Sequence, residues 1–123
     1  MWHNNALTEN DDPAPPKYAK IAEEARIQGR VTEFDPPHAL AYIWGEDASS
    51  SSEVRYELTP QGDEVRLVLT HRRLSAEQMT SVAAGWHTHL DILRARLDDT
   101  QPEGFWRQHT RLEREYVQRL QGA

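Results

Sequence analysis

Between residues 53 and 74 apolar and polar positions alternate in two successive runs. Val54, Tyr56 and Leu58 interleave with Arg55, Glu57 and Thr59; Val65, Leu67 and Leu69 interleave with Arg66, Val68 and Thr70. A period of two predicts two strands. Pro60-Gln61-Gly62-Asp63 between them has the residues of a tight turn. Each strand has one apolar and one largely polar face, the pattern of an antiparallel sheet covered on one side. The period then lengthens. Met79, Val82, Ala83, Trp86, Leu90, Leu93 and Leu97 recur at steps of three and four. They predict one helix of about 23 residues, about 35 Å long. Ser75 is placed to cap it, with Gln78 as its capping-box partner. Gly85 costs about 1 kcal/mol of helix stability against alanine. A small residue beside Trp86 points to close approach of helix and sheet, or to room for a ligand.

Weaker patterns flank this unit. Residues 1–8 have Trp2, Asn4 and Ala6 on one face of a short strand. Pro13, Pro15 and Pro16 make residues 9–16 a loop, and residues 17–25 read as one or two helical turns. Strands are predicted over 26–34 and 39–45. Ile27, Gly29 and Val31 share a face of the first; Leu40, Tyr42 and Trp44 share a face of the second. Asp35-Pro36-Pro37-His38 turns the chain between them, and the polar stretch 46–52 is a hairpin loop. After Pro102 and Gly104 a last helix covers roughly 103–121, with Phe105, His109, Leu112, Tyr116 and Leu120 as its stripe. Arg111–Glu115 and Glu115–Arg119 are exposed pairs worth about 0.2–0.5 kcal/mol each. This helix is expected on the sheet edge, on the long helix or on a second subunit. No internal repeat is present.

Composition narrows the function classes. The 123 residues fit one domain. The chain has no cysteine, which excludes disulfides and thiolate metal sites. Its net charge is −6, from 20 acidic and 14 basic residues, so nucleic acid is a poor partner. No apolar run approaches the roughly 20 residues of a membrane span, and residues 1–8 lack signal-peptide character. A cytoplasmic location without membrane or nucleic-acid partners is expected.

The six histidines are candidate metal ligands. His87 and His89 stand two apart on a helix and point away from each other, so they cannot share an ion, and no HExxH spacing exists. No metal or cofactor is expected. His87 and Asp91, four apart, form a surface pair, and His89 edges toward the core. His71 has the parity of Val65, Leu67 and Leu69, which aims it at the covered face as a satisfied core group, a cavity-lining donor or an acid–base residue. Tyr42, Trp44, Tyr56 and Trp86 fall on facing surfaces of sheet and helix. They read either as core or as the apolar wall of a small-molecule pocket with polar handles. Glu53, Glu57, Asp63 and Glu64 read as solubility residues. No phosphate loop, nucleophile elbow or reactive thiol occurs, and no catalytic residue is assigned.

Taken together, GRVTEFDPPHALAYIWG (29–45), EVRYELTPQGDEVRLVLTHRRL (53–74) and AAGWHTHLDILRARL (83–97) resemble the SRPBCC superfamily (START-like, Bet v 1-like). The branch is the one named after the activator of the 90-kDa heat-shock protein ATPase. The resemblance covers about residues 26–98. It implies an α+β helix-grip fold: a curved antiparallel β-sheet packed on one long C-terminal helix, here with an extra terminal helix. Residues 1–123 then form a single domain of this type with 99–123 as a helical extension. It further implies an apolar cavity lined by Tyr42, Trp44, Tyr56, Leu67, His71, Trp86 and Leu90, and transfers no catalytic residue. Members of the family begin with a strand and two short helices that have no counterpart here. The uncovered surface left by that departure implies a homodimer.

Three functions are therefore expected in competition. The first is a non-enzymatic binding module for a small apolar ligand. The second is a co-chaperone-like ATPase activator or protein-interaction domain, an analogy from the family name. The third is an enzyme of cyclase or hydrolase type using His71.

Overall fold

The computed structural model describes residue 4 and residues 7–8, 13–23, 27–45 and 52–121. The strand expected over 1–8 and the loop expected over 46–52 lie largely outside the described residues. The chain divides into two compact units, residues 27–74 and residues 1–26 with 75–123.

Residues 27–74 form a four-stranded antiparallel sheet in the order β1-β2-β3-β4, with β1 Gly29–Asp35, β2 Ala39–Trp44, β3 Ser52–Gln61 and β4 Glu64–Arg72. The four strands predicted between residues 26 and 74 are present, with differences at their ends: β1 begins at Gly29 and takes in Asp35, expected in the turn. Ser52 belongs to β3 rather than to the loop before it. The hairpin turn is only Gly62–Asp63, because Gln61 still pairs with Glu64. Gly62 has φ +61°, a conformation open to glycine and suited to a two-residue hairpin. Pro60 is tolerated inside β3 because β2 pairs only with Ser52–Glu57.

Register divides the sheet into two chemically distinct faces. Val31, Tyr42, Val54 and His71 form one row; Phe34, Leu40, Tyr56 and Leu69 form the next; Leu58 stands opposite Leu67. All lie on one face, since directly paired residues point the same way. A β-bulge between Val31 and Glu33 inserts Thr32 as an extra residue. It brings Val31 and Phe34, three apart, onto that same face. The other face carries every charged side chain of the paired strands: Arg30, Glu33, Asp35, Glu53, Arg55, Glu57, Glu64, Arg66 and Arg72. Arg55 reaches across the small Ala41 to grip Glu33, Nε–Oε1 2.8 Å and Nη2–Oε2 3.3 Å, and also pairs with Glu57. This covers Ala41, which is buried. Arg72 and the Thr32 hydroxyl bind Glu53. The apolar face is not buried throughout. Leu58 and Val65, near the hairpin tip, are exposed, as are Val31 and Phe34 on edge strand β1.

The second unit holds a 3₁₀ turn Pro16–Tyr18, α1 Ala19–Glu23, α2 Ala76–Leu97 and α3 Phe105–Gln121. Ser75 caps α2, its Oγ accepting from the Gln78 N–H at 3.3 Å and donating to Gln78 Oε1 at 3.2 Å. The glutamine side chain thus bonds the serine hydroxyl. In a capping box it would return to the N-cap backbone. At the other end Asp98 is the C-cap and Asp99 adopts φ +55°. The N–H of Asp99 bonds Arg96 O and that of Thr100 bonds Ala95 O, at 2.8 Å for the latter, a Schellman closure. Pro102 follows and stops the helix.

The buried face of α2 differs from the predicted stripe. Ala84, Thr88 and Ile92 are buried, whereas Met79, Leu93 and Leu97 are exposed. The cause is α3, which packs along α2, the second of its three expected positions. Thr88 loses no hydrogen bond there because its hydroxyl donates to Ala84 O at 2.7 Å. Phe105, Trp106, Gln108, His109 and Leu112 are buried on α3; Leu120 is exposed. The first orphan N–H of α3, that of Phe105, is satisfied by Thr8 Oγ at 3.1 Å. Arg111 pairs with Glu103 at 2.6 Å, not with the predicted Glu115.

A methyl group built on Gly85 meets no atom within 4 Å, so close packing does not require this glycine. Gly85→Ala is expected to stabilise the protein by about 0.5–1 kcal/mol, read as a higher urea midpoint at unchanged slope. A lower midpoint would reveal a need for the glycine that backbone propensity does not supply.

Candidate functional site on the apolar face of the sheet

Five of the seven predicted site residues stand on one surface. Tyr42 and Trp44 project from β2 and Tyr56 from β3; Leu67 and His71 project from β4. All five are half-buried. Trp86 and Leu90 stand on α2, in the helical unit. The Tyr42 ring lies near-parallel to Trp44, centroids 6.3 Å apart and planes at 20°, and Trp44 meets His71 at 5.4 Å. The Tyr42 and Tyr56 hydroxyls are hydrogen-bonded at 2.8 Å. Ser52, buried, bonds His71 Nε2 through its Oγ at 2.7 Å.

Burial sets the electrostatics. Desolvation pushes the Tyr56 phenol well above its usual range, with the Tyr42 hydrogen bond adding to the effect. Desolvation also lowers the His71 pKa, so its ring is neutral near pH 7. Among the paired strands this face therefore offers apolar surface with two hydrogen-bonding pairs and no Asp, Glu, Lys or Arg.

Ser52 escaped sequence reasoning because it closes a run of serines that reads as a flexible connection. Its signal was positional: extending β3 back from Val54 by two residues puts Ser52 on the same face.

A second polar cluster, in the helical unit, was also not foreseen. Tyr18 OH bonds Ser81 Oγ at 2.9 Å and donates to Glu113, which Lys17 also binds. Burial opposes the Glu113 charge, but the bonds from Lys17 and Tyr18 outweigh it and hold its carboxyl below the usual range. His109 donates from Nε2 to Ser81 O at 3.2 Å, leaving Nδ1 buried without a partner among the described residues. His89 lies against Phe105 at 5.1 Å, and Phe105 in turn stacks on His109 at 5.9 Å. The neighbouring histidine of the HTH run turns elsewhere. His87 meets the Tyr116 hydroxyl at 3.0 Å and Asp91 at 3.5 Å. Among the described residues no three histidine, aspartate or glutamate side chains converge as a metal site.

These buried histidines make a pH prediction. Burial lowers the pKa of both His89 and His109 from 6.5; the charge of His109 adds to the effect on His89. The unfolded chain then binds protons more readily than the folded one. Stability is expected to be complete above about pH 6.5 and to fall as the pH drops below it. Protonating His109 also creates a buried N–H without an acceptor. Urea midpoints measured from pH 8 to 5 should decline below 6.5, and the decline should shrink in the His89→Gln, His109→Gln variant. A flat profile for the natural chain would refute the assignment.

Among the described residues, no helix is long and apolar enough to cross a membrane. No curated protein sequence matches this chain. Two solved structures of CalU16 from Micromonospora echinospora share its fold. The crystal structure has a TM-score of 0.64 at 24% identity, covering 78% of this chain and 60% of that one. The solution structure has a TM-score of 0.63 at 21% identity, covering 82% and 64%. This chain thus spans less than two thirds of CalU16. The likeness establishes the fold class as α+β of the helix-grip type. Residues 17–98 match the family described as "Activator of Hsp90 ATPase homolog 1-like protein". That match takes in most of the chain, including the whole four-stranded sheet and all of the strand-to-helix run first read from its periodicity, and the chain belongs to this family.

Proposed function

We propose that this chain is a non-enzymatic binding module for a small apolar ligand, held on the aromatic face of the sheet. The observation that carries the reading is the gathering of Tyr42, Trp44, Tyr56, Leu67 and His71 on one half-buried surface, with the two tyrosine hydroxyls bonded to each other and His71 bonded to Ser52. Apolar area with a few oriented polar groups is the usual make-up of a small-molecule site. Trp86 and Leu90 belong to the helical unit, and the proposal stands on the sheet residues alone. Nile red, an uncharged dye, tests it. The protein should enhance its fluorescence saturably, and Trp44→Ala should weaken the binding. No enhancement at micromolar protein sinks the proposal.

The description of the matched family supports a second reading, an ATPase activator acting through protein contact. Failure to stimulate the 90-kDa chaperone's ATPase would dispose of it. An enzymatic reading needs a second titratable group beside His71, whose Nε2 bonds the Ser52 hydroxyl.

The proposal includes a cytoplasmic setting, compatible with a cysteine-free chain, and a homodimer. Val31 and Phe34 are 57% and 74% exposed on edge strand β1, an apolar edge of the kind that self-associates. Light scattering after size exclusion should give twice the chain mass; a monomer at micromolar concentration removes the dimer.

A further inference from the structure

A strand at the edge of a sheet presents N–H and C=O groups that another chain can pair with. This sheet has two such edges: among the described residues β1 pairs with β2 alone and β4 with β3 alone. Val31 and Phe34 make β1 the more apolar edge. Its backbone is the poorer template, because the bulge at Thr32 interrupts the ladder and Pro36-Pro37 follows directly, features that blunt an edge. β4 has neither. It pairs with β3 without a register shift from Glu64 to Arg72, and no proline interrupts it. Glu64, Val65, Arg66, Thr70 and Arg72 are exposed, and the other four residues are half-buried.

The sequence of β4 is also complementary to itself. Two copies of the strand can lie antiparallel about a twofold axis that passes through Val68, normal to the sheet. Each residue then opposes the one equally far beyond Val68, and like faces meet. On the charged face Glu64 of each copy opposes Arg72 of the other, Arg66 opposes Thr70, and the two Val68 side chains meet. On the apolar face Leu67 opposes Leu69, and Val65, itself 65% exposed, opposes His71. Arg72 already binds Glu53, but a guanidinium has several N–H donors and can hold a second carboxylate.

This register is selected by charge. A slip of two residues one way sets Arg66 against Arg72; the other way, Glu64 faces Thr70 and Arg72 faces Gly62. A slip of one residue brings the apolar face of one copy level with the charged face of the other.

We infer that two copies of this chain join β4 to β4, antiparallel about Val68, with a Glu64–Arg72 ion pair at each end, into one continuous sheet. The inference rests on the homodimer reading and assigns its interface to this edge.

The chain has no cysteine, so single introduced cysteines report proximity without background. Across the proposed ladder the two Val68 Cα atoms face each other at about 4.5–5.5 Å, inside the roughly 4.4–6.8 Å that a disulfide spans. The two Thr70 residues stand about 13 Å apart along the strands. Under mild oxidation of the full chain at micromolar concentration, Val68→Cys should cross-link, and Thr70→Cys and the β1 variant Thr32→Cys should not. Glu64→Arg replaces two opposite-charge pairs by two like-charge pairs and should raise the dimer dissociation constant about 10-fold, read by light scattering over a dilution series. Glu64 is exposed, so this variant decides should Val68→Cys not fold. The inference is overturned, and the homodimer left standing, if the natural chain is dimeric and any of four results is found: Val68→Cys stays unlinked, Thr70→Cys links as readily, Thr32→Cys links instead, or Glu64→Arg dimerises like the natural chain. A natural chain that is monomeric removes both.

Discussion

Replacing Trp106 with alanine is expected to cost about 3–5 kcal/mol, the range for removing a large buried aromatic side chain. Trp106 is 4% exposed and belongs to the core of the helical unit with Ile92 and Phe105, against which Leu7, Ala14 and Tyr18 pack. Its ring meets Phe105 edge-on at 4.7 Å and 88°, and stacks on Tyr18 at 5.5 Å and 17°. Removing it leaves a cavity and also takes away the platform that holds Tyr18 in reach of Ser81 and Glu113. A domain of this size has about 5–15 kcal/mol in total, so the variant sits near the edge of folding at 37 °C. Urea unfolding by circular dichroism checks the figure against Leu120→Ala, whose side chain is exposed and whose loss should cost under about 1 kcal/mol. Equal effects at the two positions would mean that Trp106 is not the keystone of this core.

Gly29→Ala is the second large effect, expected to destabilise by about 1–3 kcal/mol. A Cβ at Gly29 falls 1.8 Å from Ile43 O and 3.0 Å from its carbonyl carbon. These are backbone atoms, so no flexible side chain can swing aside. β1 must move off β2 at the end where Gly45 N–H bonds Gln28 O at 3.1 Å. The contrast with Gly85→Ala is the informative result, because the same chemical change should carry opposite signs at the two glycines. Differential scanning calorimetry of both variants reads it directly. A neutral Gly29→Ala would show that β1 and β2 are further apart there than the structure has them.

Much of this architecture was legible because strand periodicity is a strong local signal. The parity of His71 with Val65, Leu67 and Leu69 placed it on the face it occupies, and Ser75 announced the start of α2. The sequence misled where tertiary partners decide. The buried face of α2 runs through Ala84 and Thr88, residues too small or too polar to mark a stripe. It is buried because α3 packs beside it, a fact that α2's own periodicity does not contain. The predicted Arg111–Glu115 pair lost to Glu103 because surface ion pairs differ by only a few tenths of a kcal/mol. Within the candidate site, the ring residues could be read from parity. Ser52 and the hydroxyl pairing could not, since they depend on which strand residues are brought opposite each other.

The bulge at Thr32 acts as a phase shifter. In a strand of strict alternation, Val31 and Phe34 would be out of step, and one of them would emerge among the glutamates and arginines. One surplus residue resets the count, so that each part of β1 keeps its apolar member on the aromatic side. Were Thr32 taken into the ladder in regular alternation, Phe34 would keep its place and Gly29, Arg30 and Val31 would invert. Arg30 would then enter the face that otherwise carries no charge. The chemical purity of that face hangs on Thr32 standing outside the ladder.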